Sequence, residues 1–587
     1  EAAGDGAELR VSVDGELIRS VMLGPGQVHR ARIDLGDWSG QRVRLEIETR
    51  ARASSDFDYV FLSEPALYTP SAQPRRVVLV FVDTLRADHL GSYGYEARET
   101  SPVLDAWARD ARVFEQAIAP SAWTLPSTRS ALSGRLPEAW EPAESLPARL
   151  AQQGFLTQAF VTNAFLSTPF GMGGSWAHYG YDFMGPAASQ VDRALSALSD
   201  WPDRDQLLMV HFLDTHLPYH EPAPFDGLWA GERPSALQGV GLGRRELIGL
   251  ARSEAKEARP YLEARYDQSI RYVDSELERL FTALGPQDLV VVFSDHGEEF
   301  WDHGGFEHGH TLYEELVRVP LMLKAPGVEP GREATPVGLI DLTPTVLELL
   351  GLSSEGMDGR SLLRPVSGRP LALGYALYGS ETWGVRRGQE KWTHRAGRSH
   401  LADLEVDPGE EHRRRVSGDE DAAWAEALSE GLGRPVYAAW RVSTSTERHF
   451  ATLKPASVRL EGVDVLAAIE GWDPLDTLAA PRLEGGVVSV SGPGEGFLPS
   501  EFFVVPPDPR QLDGLRMTVV TQGLTSEATY EGGPVDRDGL GRSWLSAGRG
   551  STMFRVSQGW VPAAVDQGMT GVSAESEGQL KALGYLD

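Results

Sequence analysis

Apolar positions recur along this 587-residue chain with two different periods, and the period changes twice. From residue 1 to about 70 they alternate with polar ones, as in LRVSVDG, VHRARIDLG and QRVRLEIETR, with glycine and aspartate breaking the runs. Alternation of this kind marks strands with one buried face, so the segment predicts a small β-sandwich. After a short linker at Pro70 to Pro74, continuous apolar runs (VVLVFVD, LLMVHFLD, LVVVFSD) interleave with amphipathic stretches (SPVLDAWARDARVF, ASQVDRALSALSDW, YDQSIRYVDSELERLFTALG). Unbroken apolar runs suit strands covered on both faces. Their alternation with helices predicts an α/β domain with a mostly parallel sheet between helical layers. This texture ends near residue 415, after DLTPTVLELLGL and LADLEVDPGEEH, and a short helix over Glu420 to Leu432 follows. Strand-like runs return from about 434 to 570 (ASVRLEGVDVL, GGVVSVSG, EFFVVPP, RMTVVTQGL), before a tail, EGQLKALGYLD, with helical spacing. The expected division is a β module at 1–70, an α/β domain at 75–433, a second β module at 434–572 and a tail at 573–587 that returns to the α/β domain.

Composition narrows the partners and the chemistry. A formal charge of −29 argues against nucleic acid and anionic lipid as partners, and no stretch reaches the roughly 20 apolar residues of a membrane span. Without any cysteine there is no disulfide, thiolate metal site or cysteine nucleophile. The chain starts at Glu1 and not at methionine, which predicts a removed leader or anchor and an extracytoplasmic location.

Polar residues gather where the predicted strands of the α/β domain end. Asp83 follows VVLVFV; it suits either a metal ligand or a helix N-cap. The strand LLMV runs into His211-Phe-Leu-Asp-Thr-His-Leu-Pro-Tyr, where His211 reads as a packed core histidine and Asp214 and His216 fall on a candidate site loop. The densest stretch is Asp288 to Pro320. There an apolar run, Leu289 to Phe293, delivers Ser294, Asp295 and His296, and His303, His308 and His310 follow within a few residues. An Asp-His pair at the C-terminal end of a buried strand stands where α/β sheets build their sites. Between these lies SAWTLPSTRSALSGRLP, a helix start with Pro126 in its first turn and Gly134 at its end. Thr124 and Ser127 there are capping residues, or Thr124 is a nucleophile at a helix N-terminus that attracts an anionic oxygen.

Taken together, VFVDTLRADHLGSYGY, SPVLDAWARDARVFEQA, TLPSTRSALSGRLP, VHFLDTHLPY, SDHGEEFWDHG, GHTLYEELVRVPLMLKAPG, LIDLTPTVLELLGL and LADLEVDPGEE resemble, in order, the sulfatase family of the alkaline phosphatase superfamily. The resemblance covers about residues 75 to 415, and LKALGYL resembles family C-termini. It implies an alkaline-phosphatase-like sandwich with a metal at the strand ends. Asp83, Asp295, His296 and Thr124 are implied as metal ligands, and Thr124 also as nucleophile. His216 matches a substrate-contacting histidine, and His310 falls where sulfatases carry a sulfate-holding lysine. Asn163 and Arg129 complete the implied substrate contacts. At the N-terminus, IDLGDWSGQRVRLEIE resembles the late strands of galactose-binding-like jelly rolls; without an aromatic cluster it reads as an accessory module.

The departures from the family are specific. Sulfatases carry a cysteine or serine, converted to formylglycine, where this chain has Thr124, and threonine cannot become that aldehyde. The arginine after the family's Pro-Ser is Thr128 here, with Arg129 next to it. The family's Gly-Lys-Trp-His phrase falls on VTNA, so its lysine and histidine become Thr162 and Ala164, and the common Asp-Asn metal pair is Asp295-His296. Oxygen ligands with one imidazole suit zinc or manganese better than calcium or magnesium. Asp214 and His308 are candidates for a second metal. These features predict a metal-dependent hydrolase of phosphodiesters or phosphonate monoesters that works through a phospho-threonine, on a small-molecule or polymer ester. The alternatives are a sulfatase, a transferase of phospho-groups to lipid or envelope polymer, and a silent binding or structural protein on the same fold.

Overall fold

The computed structural model describes residues 5–27, 29, 31–52, 60–62, 67–377 and 382–446, and within 456–563 the segments 456–461, 467–470, 482–484, 487–491, 501–505, 516–521, 524–529, 544–547 and 552–563. The tail at 573–587 lies outside the described residues. The chain forms two compact units, Glu1–Tyr68 and Thr69–Asp587. In the first, β1 (Ala7–Val13), β2 (Glu16–Leu23) and β3 (Leu45–Ala51) pair antiparallel in the order β2-β1-β3. The phrase VHRARIDLG, expected as a strand, is unpaired over 31–35 and turns as a 3-10 helix at Gly36–Trp38.

The second unit is built on a mixed sheet of nine strands. In chain order they are β4 (Arg76–Val82), β5 (Arg112–Ile118), β6 (Leu156–Val161), β7 (His178–Tyr181), β8 (Gln206–Phe212) and β9 (Leu289–Phe293). A separate hairpin, β10 (Glu299–Phe300) and β11 (Phe306–Glu307), precedes β12 (Arg318–Lys324), β13 (Gly331–Glu333) and β14 (Val337–Gly338). The strand order is β13-β5-β12-β9-β4-β8-β6-β7, with β14 also on β5, and β12 alone runs against its neighbours. The helices are α1 (Pro102–Ala108), α2 (Thr124–Ser133), α3 (Leu146–Gln152), α4 (Ala187–Asp200), α5 (Arg244–Ile248), α6 (Arg252–Thr282), α7 (Glu314–Val317), α8 (Leu342–Leu349) and α9 (Asp419–Leu432).

The unbroken apolar runs follow from burial on both faces. Successive side chains of a strand point to opposite sides, so each run feeds two cores. Val77, Leu79, Phe81, Met209, Val291 and Phe293 pack with Leu125 and Leu132 of α2, Leu150 of α3 and Val346 of α8. Val78, Val80, Val82, Val210, Val290 and Val292 pack with Leu104 of α1, Val191 of α4 and Ile270 and Val273 of α6. Each such side chain contributes roughly 1.5–3 kcal/mol of burial, which makes this sheet the rigid body of the unit. The parallel strands β4, β8, β9 and β6 all end on the same edge. Since β4 is followed on one side by β9 and on the other by β8 and β6, that edge has the crevice in which open α/β sheets bind ligands.

The α/β alternation ends earlier than expected. Residues 371–416 form an antiparallel sheet, β15 (Leu371–Leu373), β16 (Thr382–Arg387), β17 (Glu390–Arg395), β18 (Arg398–Asp403) and β19 (Arg414–Val416), against which α9 packs. The phrase LADLEVDPGEEH is the end of β18 and a turn in which Asp407 accepts the N–H groups of Glu411 and His412. Beyond α9, the described strands make two five-stranded antiparallel sheets, one centred on β20 (Val436–Thr446) and the strand 552–562. No helix among the described residues is long and apolar enough to cross a membrane.

One buried histidine joins the sheet β15–β19 to the strand 552–562. His394 Nε2 accepts the backbone N–H of Trp560 at 3.1 Å, and its Nδ1 faces Ser399 Oγ at 2.8 Å. Asp421 of α9 accepts both Trp392 Nε1–H and Trp560 Nε1–H. Burial pushes the His394 imidazole down to about 4, and nearby Arg441 and His400 add to the shift against the pull of Asp421. A histidine that stays neutral in the fold binds its proton first in the unfolded chain, so its contribution is intact above about pH 6.5 and is lost as the pH falls toward 4. His394→Gln should therefore show a shallower loss of urea stability than the wild type over that window, by on the order of 2–3 kcal/mol. Parallel pH profiles for the two proteins would contradict this.

Candidate functional site

Three strand ends and one helix start build the site. The apolar run of β4 ends at Asp83, which is wholly buried. The run of β9 ends at Ser294, Asp295 and His296, also wholly buried. Ser294 Oγ accepts the N–H of Leu85 at 2.9 Å and donates to the carbonyl of His296 at 2.8 Å, which ties the loop after β4 to the loop after β9. Thr124 opens α2, whose ten residues are all buried; Gly134 ends it in the left-handed region at φ 67°, a conformation that suits glycine. Trp123 donates its indole N–H to the Tyr375 carbonyl at 2.5 Å and so fixes the helix start.

These elements bring Asp83, Asp295, His296 and Thr124 together. Asp83 Oδ1 lies 3.6 Å from His296 Nε2, and Asp295 Oδ2 lies 3.3 Å from the same nitrogen. Thr124 Oγ1 is also 3.3 Å from it. His296 Nδ1 donates to the Gly297 carbonyl at 2.9 Å, so Nε2 presents its lone pair to the two carboxylates. Asp83 Oδ1 and Asp295 Oδ2 are buried without a hydrogen-bond partner. Burial and the charge of Asp83 push the Asp295 carboxyl well up. Burial also works against ionisation of Asp83, but the His211 hydrogen bond and the surrounding imidazoles outweigh it and bring that carboxyl down to about 2. Burial takes His296 down to about 4. Two orphaned carboxylate oxygens and an imidazole lone pair, with ligand atoms within 4.8 Å of one another, are a donor set that fits a divalent cation.

Asn163 and His211 hold this group from the side of β6 and β8. Asn163 Nδ2 donates to Asp83 Oδ2 at 2.7 Å and to Thr124 Oγ1 at 3.2 Å, and its Oδ1 accepts the N–H of Phe165. His211 Nε2 reaches Asp83 Oδ2 at 3.1 Å. His211 is packed on Phe81, in keeping with a core residue, yet it also bonds to a site carboxylate. The alternation of β8 could not reveal this, because the strand is buried on both faces.

The remaining candidates separate. His308 packs its ring on His296 at 4.3 Å and on His216 at 4.9 Å, and its Nδ1 donates to Glu298 Oε1 at 2.9 Å. His216 donates Nδ1–H to the Leu217 carbonyl at 2.5 Å. Burial lowers both imidazoles, and His296 lowers His308 further. His310, expected to face the substrate, turns Nε2 to Glu299 Oε2 at 2.9 Å. Between the two histidines Gly309 takes a positive φ of 83°, which redirects the chain. Arg129 donates to the Phe170 carbonyl at 3.2 Å, and burial pushes its guanidinium down to about 10. Asp214 accepts the Ala187 N–H at the start of α4, and burial raises its carboxyl to about 7. Among the described residues the only group of three or more potential metal ligands is Asp83, Asp295 and His296, so Asp214 and His308 are not drawn into a second one.

Residues 75–352 match the family model described as Sulfatase. A choline-sulfatase of Rhizobium meliloti is 33% identical over 159 residues, 24% of this chain and 31% of that protein. The phosphoethanolamine transferase EptC of Escherichia coli (strain K12) is 26% identical over 329 residues, 50% of this chain and 54% of that protein. The chain thus spans about a third to a half of the length of these relatives. Among solved structures, the phosphonate monoester hydrolase SpPMH of Silicibacter pomeroyi superposes with a TM-score of 0.50 at 19% identity, over 62% of this chain and 95% of that one. The putative sulfatase yidJ of Bacteroides fragilis superposes with a TM-score of 0.50 at 18% identity, over 63% and 98%. Both share the fold. Residues 75–352 of this chain thus match the Sulfatase family model and share the fold of these two structures.

Proposed function

We propose that the chain is a metal-dependent hydrolase of phosphoesters, of the phosphodiester or phosphonate monoester type, with Thr124 as its nucleophile. The observation that carries this reading is the place of the Thr124 hydroxyl, 3.3 Å from His296 Nε2 and 3.2 Å from Asn163 Nδ2 at the start of α2. In a chain without cysteine, a threonine at this point leaves no formylglycine for sulfate chemistry, but a hydroxyl can still attack phosphorus.

Asp83 Oδ1, Asp295 Oδ2, His296 Nε2 and Thr124 Oγ1 would hold one divalent cation, zinc or manganese in preference to calcium or magnesium given the imidazole in the set. Such a cation lowers the pKa of a bound hydroxyl and neutralises charge on a phosphoryl oxygen. Thr124 Oγ1 attacks phosphorus in line as the bond to the leaving oxygen breaks, and the proton that Oγ1 gives up leaves on the departing oxygen. Asn163 Nδ2–H stabilises Oγ1 as it loses its proton, and the positive end of the α2 dipole favours the anionic group. His216 and His308 each commit Nδ1 to an acceptor, so Nε2 is the nitrogen that can take a proton. Nε2 of either would take the proton of the water that attacks the phospho-threonine, while burial keeps both imidazoles neutral and weakens them as bases.

An acceptor alcohol in place of that water makes the same site a transferase, and the similarity to EptC over half of the chain favours keeping this second reading. An extracytoplasmic location goes with either reading.

Aryl phosphodiesters or phosphonate monoesters should be turned over well above aryl sulfates, and Thr124→Ala should lower that turnover roughly 10³-fold or more with the circular dichroism unchanged. Faster turnover of the aryl sulfate, or full activity in Thr124→Ala, would contradict the assignment. Chelation should abolish activity, and zinc or manganese should restore it where calcium does not. A protein that binds no metal and stays inert after these additions would instead be a binding protein on this fold.

A further inference from the structure

The hydrogen bonds around Asp83 are one-sided. Its Oδ2 accepts from Asn163 Nδ2 at 2.7 Å and faces His211 Nε2 at 3.1 Å, while its Oδ1 is buried and has no partner. The tautomer of His211 is set from its other nitrogen. Thr162 donates its backbone N–H to Nδ1 at 3.4 Å, and its hydroxyl lies 2.8 Å from Nδ1 and 3.4 Å from the His211 carbonyl. The backbone N–H cannot act as an acceptor, so Nδ1 carries the lone pair and Nε2 the proton. The proton on Nε2 therefore points at Asp83 Oδ2. His211 is itself held in place, wholly buried with its ring edge-on to Phe81 at 4.4 Å.

We infer that Thr162, His211 and Asn163 are positioning residues that occupy Asp83 Oδ2 and leave Oδ1 as a one-toothed ligand, which biases the site toward metals of low coordination number. The inference rests on the reading of Asp83, Asp295 and His296 as the metal site. A carboxylate with both oxygens free can bind a cation through both, as six- to eight-coordinate calcium often requires. One that spends an oxygen on two donors offers a single ligand atom, as tetrahedral zinc prefers. The fixed carboxylate also keeps Oδ1 turned toward His296 without the cost of ordering it at each binding event. Outer hydrogen-bond partners of this kind are worth 10–100-fold in metal affinity elsewhere.

The sequence holds a further sign of the arrangement. Thr162 and Asn163 are adjacent at the end of β6, and His211 is the sixth residue of the neighbouring strand β8. The parallel pairing of β6 with β8 sets Phe160 opposite Val210, which brings Thr162 level with the His211 ring. One strand end thus supplies both the group that orients the imidazole and the amide that shares its acceptor.

The test uses the whole protein stripped of metal, with zinc and calcium as the probes and a chromophoric chelator as competitor. His211→Phe removes the donor and keeps the ring's packing; His211→Gln retains a donor toward Asp83 and an acceptor toward Thr162; Thr162→Val removes only the hydroxyl. Zinc affinity should fall 10–100-fold in His211→Phe and less in Thr162→Val, with much of it regained in His211→Gln. Calcium affinity should fall less than zinc affinity, so the zinc-to-calcium ratio narrows. Equal zinc affinity in all four proteins, or equal losses in His211→Phe and His211→Gln, would overturn the inference. Should His211→Phe not fold, an unchanged zinc affinity in Thr162→Val would overturn it, and a loss with a narrower ratio there would support it. Absence of zinc binding in the wild type would instead overturn the metal reading on which this rests.

Discussion

The site depends on one arrangement that the fold imposes and water would not tolerate alone: two carboxylates and an imidazole lone pair turned toward each other in a buried space. Asp83 and Asp295 come from strands that are neighbours in the sheet, β4 and β9, and both sit where the apolar runs stop. Their exposed charge would be harmless at a surface. Buried, with Asp83 Oδ1 and Asp295 Oδ2 unpartnered, it has to be offset by a cation or by protons. The same crowding places the Thr124 hydroxyl beside the group, 3.3 Å from His296 Nε2.

Around that centre the polar atoms are assigned with little redundancy. Asn163 spans Asp83 and Thr124; His211 covers the second oxygen of Asp83; Glu298 orients His308, whose ring packs on His296. The loops after β4 and β9 are tied through Ser294. The fold shared with the sulfatase-like structures is thus combined with a threonine at the start of α2. The fold is shared with sulfatases and with a phosphonate monoester hydrolase, so the fold leaves the ester open and the residues of the site have to carry the choice.

Much of this was legible in the sequence for a physical reason. Doubly buried strands write unbroken apolar runs, and a charged residue directly after such a run marks a strand end; Asp83, Asp295 and His296 could be read that way. Thr124 was legible from its place before Leu-Pro-Ser. What escaped was pairing between distant segments. His211 looked like any core residue because nothing local says which strand end lies opposite it. That His308 packs on His296 while His310 turns to Glu299 follows a backbone turn at Gly309, which no side-chain pattern announces. The span 371–416 looked like continued α/β texture because its strands are short and mix charge with apolar residues, whereas their hairpin pairing is what defines them.

A covalent bond to Thr124 is the decisive intermediate of the proposed reaction. The most direct measurement is intact-protein mass spectrometry on protein quenched in acid during turnover of an aryl phosphodiester or phosphonate ester, followed by peptide mapping. A phosphoryl-ester or phosphonyl adduct on the peptide that carries Thr124, absent from Thr124→Ala, is the predicted result. Turnover at full rate with no adduct, or an adduct on another residue, would contradict it.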